Sequence, residues 1–207
     1  MHIEPGLLSQ AKILAAGVAA SGLYAAYAPQ LLKAPAQWLR TLLAAAAFTL
    51  LMQSWSLPVG PSELHLVGAM PIYLAFGFLP TLFGFGLGLL AQGLLFEPQD
   101  LAHLAVNALT LAVPLVALHA TLGQRIQRLS VANVLKLDAA YYAGVTAMVG
   151  FWLLNGMVAT PVAEWAQFAG AYLAVAAVEP FVTLAVLALV TRARRTRVGA
   201  LCFAARG

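Results

Sequence analysis

Charge is what this sequence has least of: only 9% of its 207 residues are Asp, Glu, Lys or Arg, where soluble domains carry about 25%. Hydrophobic residues make up 62%, and the mean hydropathy is +0.88. A soluble fold of this size cannot hide so much apolar surface. The same composition excludes a disordered chain and, despite a formal net charge of +4, a nucleic-acid binder. Cysteine is absent save for Cys202 near the end, so no disulfide scaffold or internal redox chemistry is expected. A Ser-His-Asp order, HExxH, CxxC and a P-loop are also missing. The chain therefore reads as neither a hydrolase nor an ATPase, and any ATP must be used by a partner. No basic segment precedes an apolar run at the start, so the beginning is not read as a signal peptide. What remains is a polytopic membrane protein, a single integral membrane domain over 1–207 whose partner is the lipid bilayer and not a nucleic acid.

A helix needs roughly 20 apolar residues to cross a bilayer. Apolar stretches near 10–28, 38–55, 65–79, 81–96, 101–121, 138–157 and 166–190 predict an all-α membrane fold with about seven transmembrane helices. The third and fourth are short and meet at Pro80. They read either as a hairpin of short helices or as one broken helix lining a cavity within the protein, the setting that irregular backbone at that depth requires. Ala15 and Ala19, Ala16 and Ala20, and Gly84 and Gly88 stand at the small-xxx-small spacing that lets helices approach closely in lipid. Gly84, Gly86 and Gly88 lack the spacing and setting of a dinucleotide fingerprint.

Basic residues are distributed unevenly. Lys33 and Arg40 flank the first connection, Arg125, Arg128 and Lys136 occupy the fifth, and Arg192, Arg194, Arg195, Arg197 and Arg206 crowd the tail. With seven spans, all of these fall on one side, and the positive-inside rule makes it the cytoplasm. The N-terminus is then outside, the C-terminus inside, and 191–207 a basic cytoplasmic tail. Lys12 is the exception, near enough to the outer end of the first span to snorkel. Glu4, Glu63, Glu97, Asp100 and Glu164 gather on the outer side. Such a face attracts cations, unless the outer loops simply lack Lys and Arg.

The start of the chain is chemically distinctive. The Met1 α-amine, the His2 amide and the His2 imidazole supply three nitrogens that can close fused chelate rings on one metal. A deprotonated amide suits Ni²⁺ or Cu²⁺ in a square-planar field. His2 can equally be an ordinary exposed histidine. His65, on the same side as Met1 in the seven-span arrangement, is the natural fourth ligand, or else a loop residue. His103 and His119 share the fifth span but lie about 24 Å apart along a helix, so they cannot share one metal. His103 reads as an entry or supporting residue, and His119, near the cytoplasmic end, as a surface or packing residue. Gln92 and Asn107 either orient a site or bond helices together. Glu179 is taken as the only acid well inside the apolar region, either functional or a protonated structural group. Pro180 beside it kinks the helix.

These residues together resemble the CbiM/NikM family, the substrate-capture membrane subunits of energy-coupling-factor (ECF) importers for cobalt and nickel. Its members begin Met-His-Ile with an acid and Gly close behind, and this chain begins Met1-His2-Ile3-Glu4-Pro5-Gly6. The family's Gly-Thr-Ser-x-His stretch is similar to Gly60-Pro61-Ser62-Glu63-Leu64-His65. Its Gln-Ala-Leu, Gly-Ala-Asn and Glu-Gly-x-x-Thr elements are similar to Gln92-Gly93-Leu94, Ala105-Val106-Asn107 and Glu179-Pro180-Phe181-Val182-Thr183. There are departures. One extra residue stands between Ser62 and His65, Glu97-Pro98-Gln99-Asp100 replaces a His-Gly-Gly, and Pro180 replaces a Gly.

The resemblance implies seven helices, with the segment 1–9 folded into an outward cavity. It implies a Co²⁺ or Ni²⁺ site made by Met1, His2 and His65; Glu63, Gln92, His103, Asn107 and Glu179 are read beside it, from their own placement in the sequence, as supporting or pathway residues. The metal is cargo, and no permanent cofactor is implied. The expected partners are an ECF coupling membrane subunit and ATPase subunits, and the expected location is a bacterial inner membrane. A solitary metal permease and a non-transporting assembly subunit are the alternatives.

Overall fold

The structure, a computed structural model, describes residues 2–3, 6–60, 62–126, 129–157 and 161–204, with His2 and Ile3 described by their backbone alone. The strands are β1 (His2–Ile3), β2 (Ser56–Val59) and β3 (Ser62–His65). The helices are α1 (Gln10–Leu32), α2 (Ala36–Ser54), α3 (Ala69–Phe76), α4 (Phe78–Leu95), α5 (Leu104–Leu118), α6 (Val131–Leu154), α7 (Val162–Ala193) and α8 (Arg197–Cys202). A 3-10 turn, Pro98–His103, leads into α5, and a π turn, His119–Gly123, leaves it. Five stretches among the described residues are long and apolar enough to cross a membrane: Gln10–Leu32, Phe78–Leu95, Pro98–Gly123, Val131–Leu154 and Val162–Ala193.

The all-α expectation needs one correction. The segment 56–65, whose last residue was expected to open a helix, forms a hairpin, and β1 joins it in a three-stranded antiparallel sheet of order β1-β3-β2. Of the expected third span, Ala69–Phe76 form α3, and residues 78–79 already belong to α4. The break between the short third helix and the fourth lies at Gly77, not at Pro80. Gly77 takes φ 92°, a left-handed conformation open to glycine, while Pro80 sits in the first turn of α4, where its missing N–H is tolerated. Gly68, at φ 63°, turns the chain from β3 into α3 in the same way.

The sixth helix begins earlier than expected, at Val131. The Ser130 hydroxyl accepts from the Asn133 N–H at 3.3 Å and caps it, satisfying one of the free amides of the first turn. The following turns bury Val134, Leu137, Tyr141, Val145, Val149 and Trp152 along one face, the 3.6-residue period of a helix packed against its neighbours. At the other extreme of size, α2 and α4 touch through small residues. A Cβ on Gly84 would stand 2.7 Å from the Ala44 Cβ, and one on Gly88 would stand 2.5 Å from Phe48 Cδ1 and 3.1 Å from the Ala45 carbonyl. The Thr49 hydroxyl donates to the Gly88 carbonyl at 3.2 Å across this contact. Of the alanines in α1, Ala16 and Ala20 face inward and Ala15 and Ala19 outward.

The two ends of the bundle differ in charge. Lys33, Arg40 and Arg192 lie at one end with α8. There Arg40 donates from Nε to the Leu201 carbonyl at 3.0 Å and from Nη2 to the Ala200 carbonyl at 3.2 Å. Beyond α8 the chain folds back: the Ala204 N–H donates to the Ala75 carbonyl at 2.7 Å, and Phe203 stacks on Phe76. Lys12 lies at the opposite end, where its ammonium donates to the Asn155 carbonyl at the end of α6.

Overpacking a close helix contact costs about 1–3 kcal/mol. Gly88→Leu is expected to lower the thermal midpoint of the detergent-solubilised protein accordingly. Gly22→Ala, with nothing within 4 Å of the added carbon, is expected not to lower it, since alanine favours a helix interior over glycine. Equal midpoints for the two variants would contradict the close α2–α4 contact.

Candidate functional site

Strand β3 carries the residues around which the site is built. Successive side chains of a strand alternate between its faces, so Glu63 and His65 share one face and Ser62 and Leu64 the other. His65 is 1% exposed. Its Nδ1 lies 3.1 Å from the Met52 carbonyl. A carbonyl only accepts, so Nδ1 carries the proton and donates. That fixes the ring orientation and leaves Nε2, which stands 3.2 Å from Glu63 Oε2. A proton shared with Glu63, or a metal ion, reconciles the two facing lone pairs. A fixed second nitrogen and a neighbouring carboxylate are the usual supports of a metal-binding imidazole.

The chain's start reaches this place through β1. His2 pairs with Glu63 and Ile3 with Ser62 in an antiparallel ladder. The amino end of β1 therefore lies toward the carboxyl end of β3, where His65 stands. His2 and His65 are diagonal neighbours across the ladder, and such pairs are about 7–8 Å apart, within reach of long side chains. Met1 and Glu4 lie outside the described residues. Among the described residues no three His, Cys, Asp or Glu side chains converge on one point, so His65 and its neighbours alone do not complete a metal site.

The remaining expected residues separate into two places. His103, 1% exposed, ends the 3-10 turn beside β1, and Asn107, also buried, lies one turn into α5. Gln92 is buried in α4 one turn before Glu97, and its amide oxygen and nitrogen have no hydrogen-bond partner among the described residues. Glu179 belongs elsewhere, at mid-length in α7 and fully buried, accepting from the Tyr142 hydroxyl. It is not the only acid in the apolar interior. Asp138, 1% exposed in α6, lies near enough to interact with it. Asp138 marked the expected start of a span and was not recognised. The recurrence of Val134, Leu137, Tyr141 and Val145 extends the buried face back past it, and that was the available signal. His119 is a packing residue as expected, stacked on Phe78 at 4.0 Å and 2.9 Å from the Tyr73 hydroxyl.

Acids gather around the open end of the sheet. Glu97 and Asp100 are hydrogen-bonded, Glu63 is close enough to act on them, and Glu164 Oε2 would stand 3.9 Å from a Cβ on Gly60. The Glu97 carboxyl is pushed up from 4.5 to about 7, first by burial, then by its bond to Asp100 and by the charges of Asp100 and Glu63. A raised native value favours folding fully below 4.5 and loses that contribution as pH rises through about 7. Glu97→Gln is expected to remove the loss, so that its stability relative to the native chain grows across this interval in thermal melts. A difference independent of pH would contradict the assignment.

Over residues 2–197 the chain matches the family described as CbiM, cobalt uptake substrate-specific transmembrane region. No curated protein matches it. Among solved structures, the crystal structure of a transition metal transporter shares the fold with a TM-score of 0.71, at 19% identity and 96% coverage of each chain. The family is one of transporter components and not of enzymes. With β1 laid along β3 and a match running almost end to end, the chain belongs to the cobalt uptake substrate-specific transmembrane family.

Proposed function

We propose that this chain is the substrate-capture membrane subunit of an importer for Co²⁺ or Ni²⁺ of the ECF type. In this reading it holds the metal at an outward site made by the Met1 amine, the His2 amide and imidazole, and His65. The observation that carries the reading is the register of β1 on β3, which sets His2 opposite Glu63 and two positions from His65. The buried amide of Gln92, without a hydrogen-bond partner among the described residues, and the acids Glu63, Glu97 and Asp100 support it, the first as a polar demand near the same end. The second is a negative field that concentrates cations. Energy comes from ATPase subunits through a coupling membrane subunit. The exposed small residues of α1, Ala15, Ala19 and Gly22, offer that subunit a close helix contact, and Ala20, which faces inward, does not.

In the same reading α1, α2, α4, α5, α6 and α7, with the strand-to-helix segment 62–76 in place of a full third helix, make seven crossings of a bacterial inner membrane, with the N-terminus outside. The segregation of Lys33, Arg40 and Arg192 from the acids supports this orientation. Reporter fusions after Arg197 are expected to read cytoplasmic, and a periplasmic signal there would contradict the seven-span arrangement.

Protons compete with the metal at every proposed nitrogen, including an α-amine whose ordinary pKa is about 7.7–8.0. Metal affinity is therefore expected to fall as pH drops. One residue added before Met1 turns the amine into an amide and moves the terminus by about 3.5 Å. Tight Ni²⁺ or Co²⁺ binding by the purified protein is expected to be lost in that form and in His2→Ala. His65→Ala, where water can enter the fourth position, is expected to weaken it less. An extended form that binds as tightly as the native one would overturn the site.

A further inference from the structure

A long apolar groove lies between α6 and α7, and none of its wall comes from the sheet. Its volume is about 730 Å³, within the range of roughly 300–1,000 Å³ for clefts that hold small apolar ligands. Small residues keep its sides low: Ala139, Ala143 and Ala147 of α6, and Gly170 and Ala177 of α7. A Cβ on Gly170 would meet nothing within 4 Å. Tyr142 and Tyr172 make the floor, edge to face with ring centroids 4.9 Å apart. The polar atoms around the groove are largely engaged elsewhere. The Tyr142 hydroxyl donates to Glu179, the Trp165 indole N–H donates to the Thr146 carbonyl at 3.0 Å, and the Tyr172 hydroxyl is buried. The groove therefore offers little besides hydrocarbon contact.

Dimensions and charge say what fits it. Along α6 the groove runs from Leu135 to Ala147, about 18 Å, and along α7 from Trp165 to Pro180, about 22 Å. That is more than half, and well short of the whole, of a hydrocarbon core about 30 Å thick. Past its outer end α6 and α7 close together, where a Cβ on Gly150 would stand 2.5 Å from Trp165 Nε1. A partner's transmembrane helix would have to run on across that contact, whereas an acyl chain can end at it. The other end of the groove carries a charge. Lys136 is exposed and shares a helix face with Ala139 and Ala143, three and seven residues on. Its helix begins at the basic end of the bundle, since the other end of α6 meets Lys12. Helical side chains lean toward the helix start, so the Lys136 ammonium reaches toward the headgroups on that side. We propose that the groove holds one acyl chain of an anionic phospholipid from the leaflet at the basic end, with Lys136 binding its phosphate. The inference needs only that the chain sits in a bilayer, and it is independent of the cargo.

The test is native mass spectrometry of the delipidated, detergent-solubilised chain, titrated with phosphatidylglycerol or with phosphatidylcholine of the same chain length. The native chain is expected to hold one phosphatidylglycerol, and phosphatidylcholine about fivefold more weakly, the worth of one cation at an anionic lipid surface. Lys136→Gln is expected to erase that preference and leave the phosphatidylcholine affinity as it was. Gly170→Leu has room for its side chain and keeps the fold. It fills the groove and is expected to weaken both lipids at least about tenfold, as the loss of two buried methylenes would. Lys33→Gln, at the same end but on α1, is expected to change neither. Glycerol phosphate, the headgroup without its chains, is expected not to compete. Equal affinity of the native chain for the two lipids overturns the proposal, as does a preference that survives in Lys136→Gln. Lipid binding unchanged in Gly170→Leu places the lipid elsewhere and also overturns it. A native dimer that Gly170→Leu makes monomeric would put a second copy in the groove, and competition by glycerol phosphate would make the site one for phosphate alone. Either result overturns the proposal too.

Discussion

Backbone amides and carbonyls inside a bilayer must find partners within the protein, and this chain brings a stretch of non-helical backbone among its helices. Strands β2 and β3 satisfy the requirement as a hairpin, with β3 bonded to β2 on one side and to β1 on the other. Much follows from that pairing. It gives the chain's start a fixed address, it places His65 at the end of a central strand, and it delivers Gly68 where α3 begins. Gly68 adopts φ 63° there, and the amides of the new helix turn toward Glu179. A single buried strand therefore connects the outer acids with the carboxylate in the interior.

Electrostatics follow the same axis. At the outer end, Glu63 faces His65 Nε2 at 3.2 Å, and burial with neighbouring charge holds Glu97 well above the usual carboxylate range. Halfway along α7 two further carboxylates lie buried without a basic partner among the described residues. Beyond them the bundle closes with Arg40 holding the α8 carbonyls and Phe203 stacked on Phe76. Negative groups thus lie at the sheet and within the bundle, and positive groups mark the far end.

Much of this is written in the sequence in physical terms. Apolar length announced the helices, and the spacing of Gly84 and Gly88 announced a close helix contact without naming α2 as the partner. Segregated charge announced the two unlike ends. The sheet was not legible because a four-residue strand such as Ser62–His65 has no period that distinguishes it from the lead-in to a helix. The break was sought at Pro80, the usual punctuation, but a proline in a helix's first turn breaks nothing, and the positive φ of Gly77 does the work. Asp138 escaped because Asn133, Lys136 and Asp138 made the start of α6 look like a loop. The apolar positions between them carry the helical period through it. At the candidate site, Met1, His2 and His65 could be named from donor chemistry. The ladder that brings β1 beside β3 depends on long-range pairing, which no local pattern encodes.

The central claim is that the start of this chain and His65 bind one metal through nitrogen. X-ray absorption at the metal edge, on protein loaded with one equivalent of Ni²⁺, tests it most directly. The account predicts a first shell of four nitrogens in square-planar geometry, with one imidazole lost in His65→Ala. A first shell of oxygen or sulfur, or one unchanged by that substitution, would contradict it.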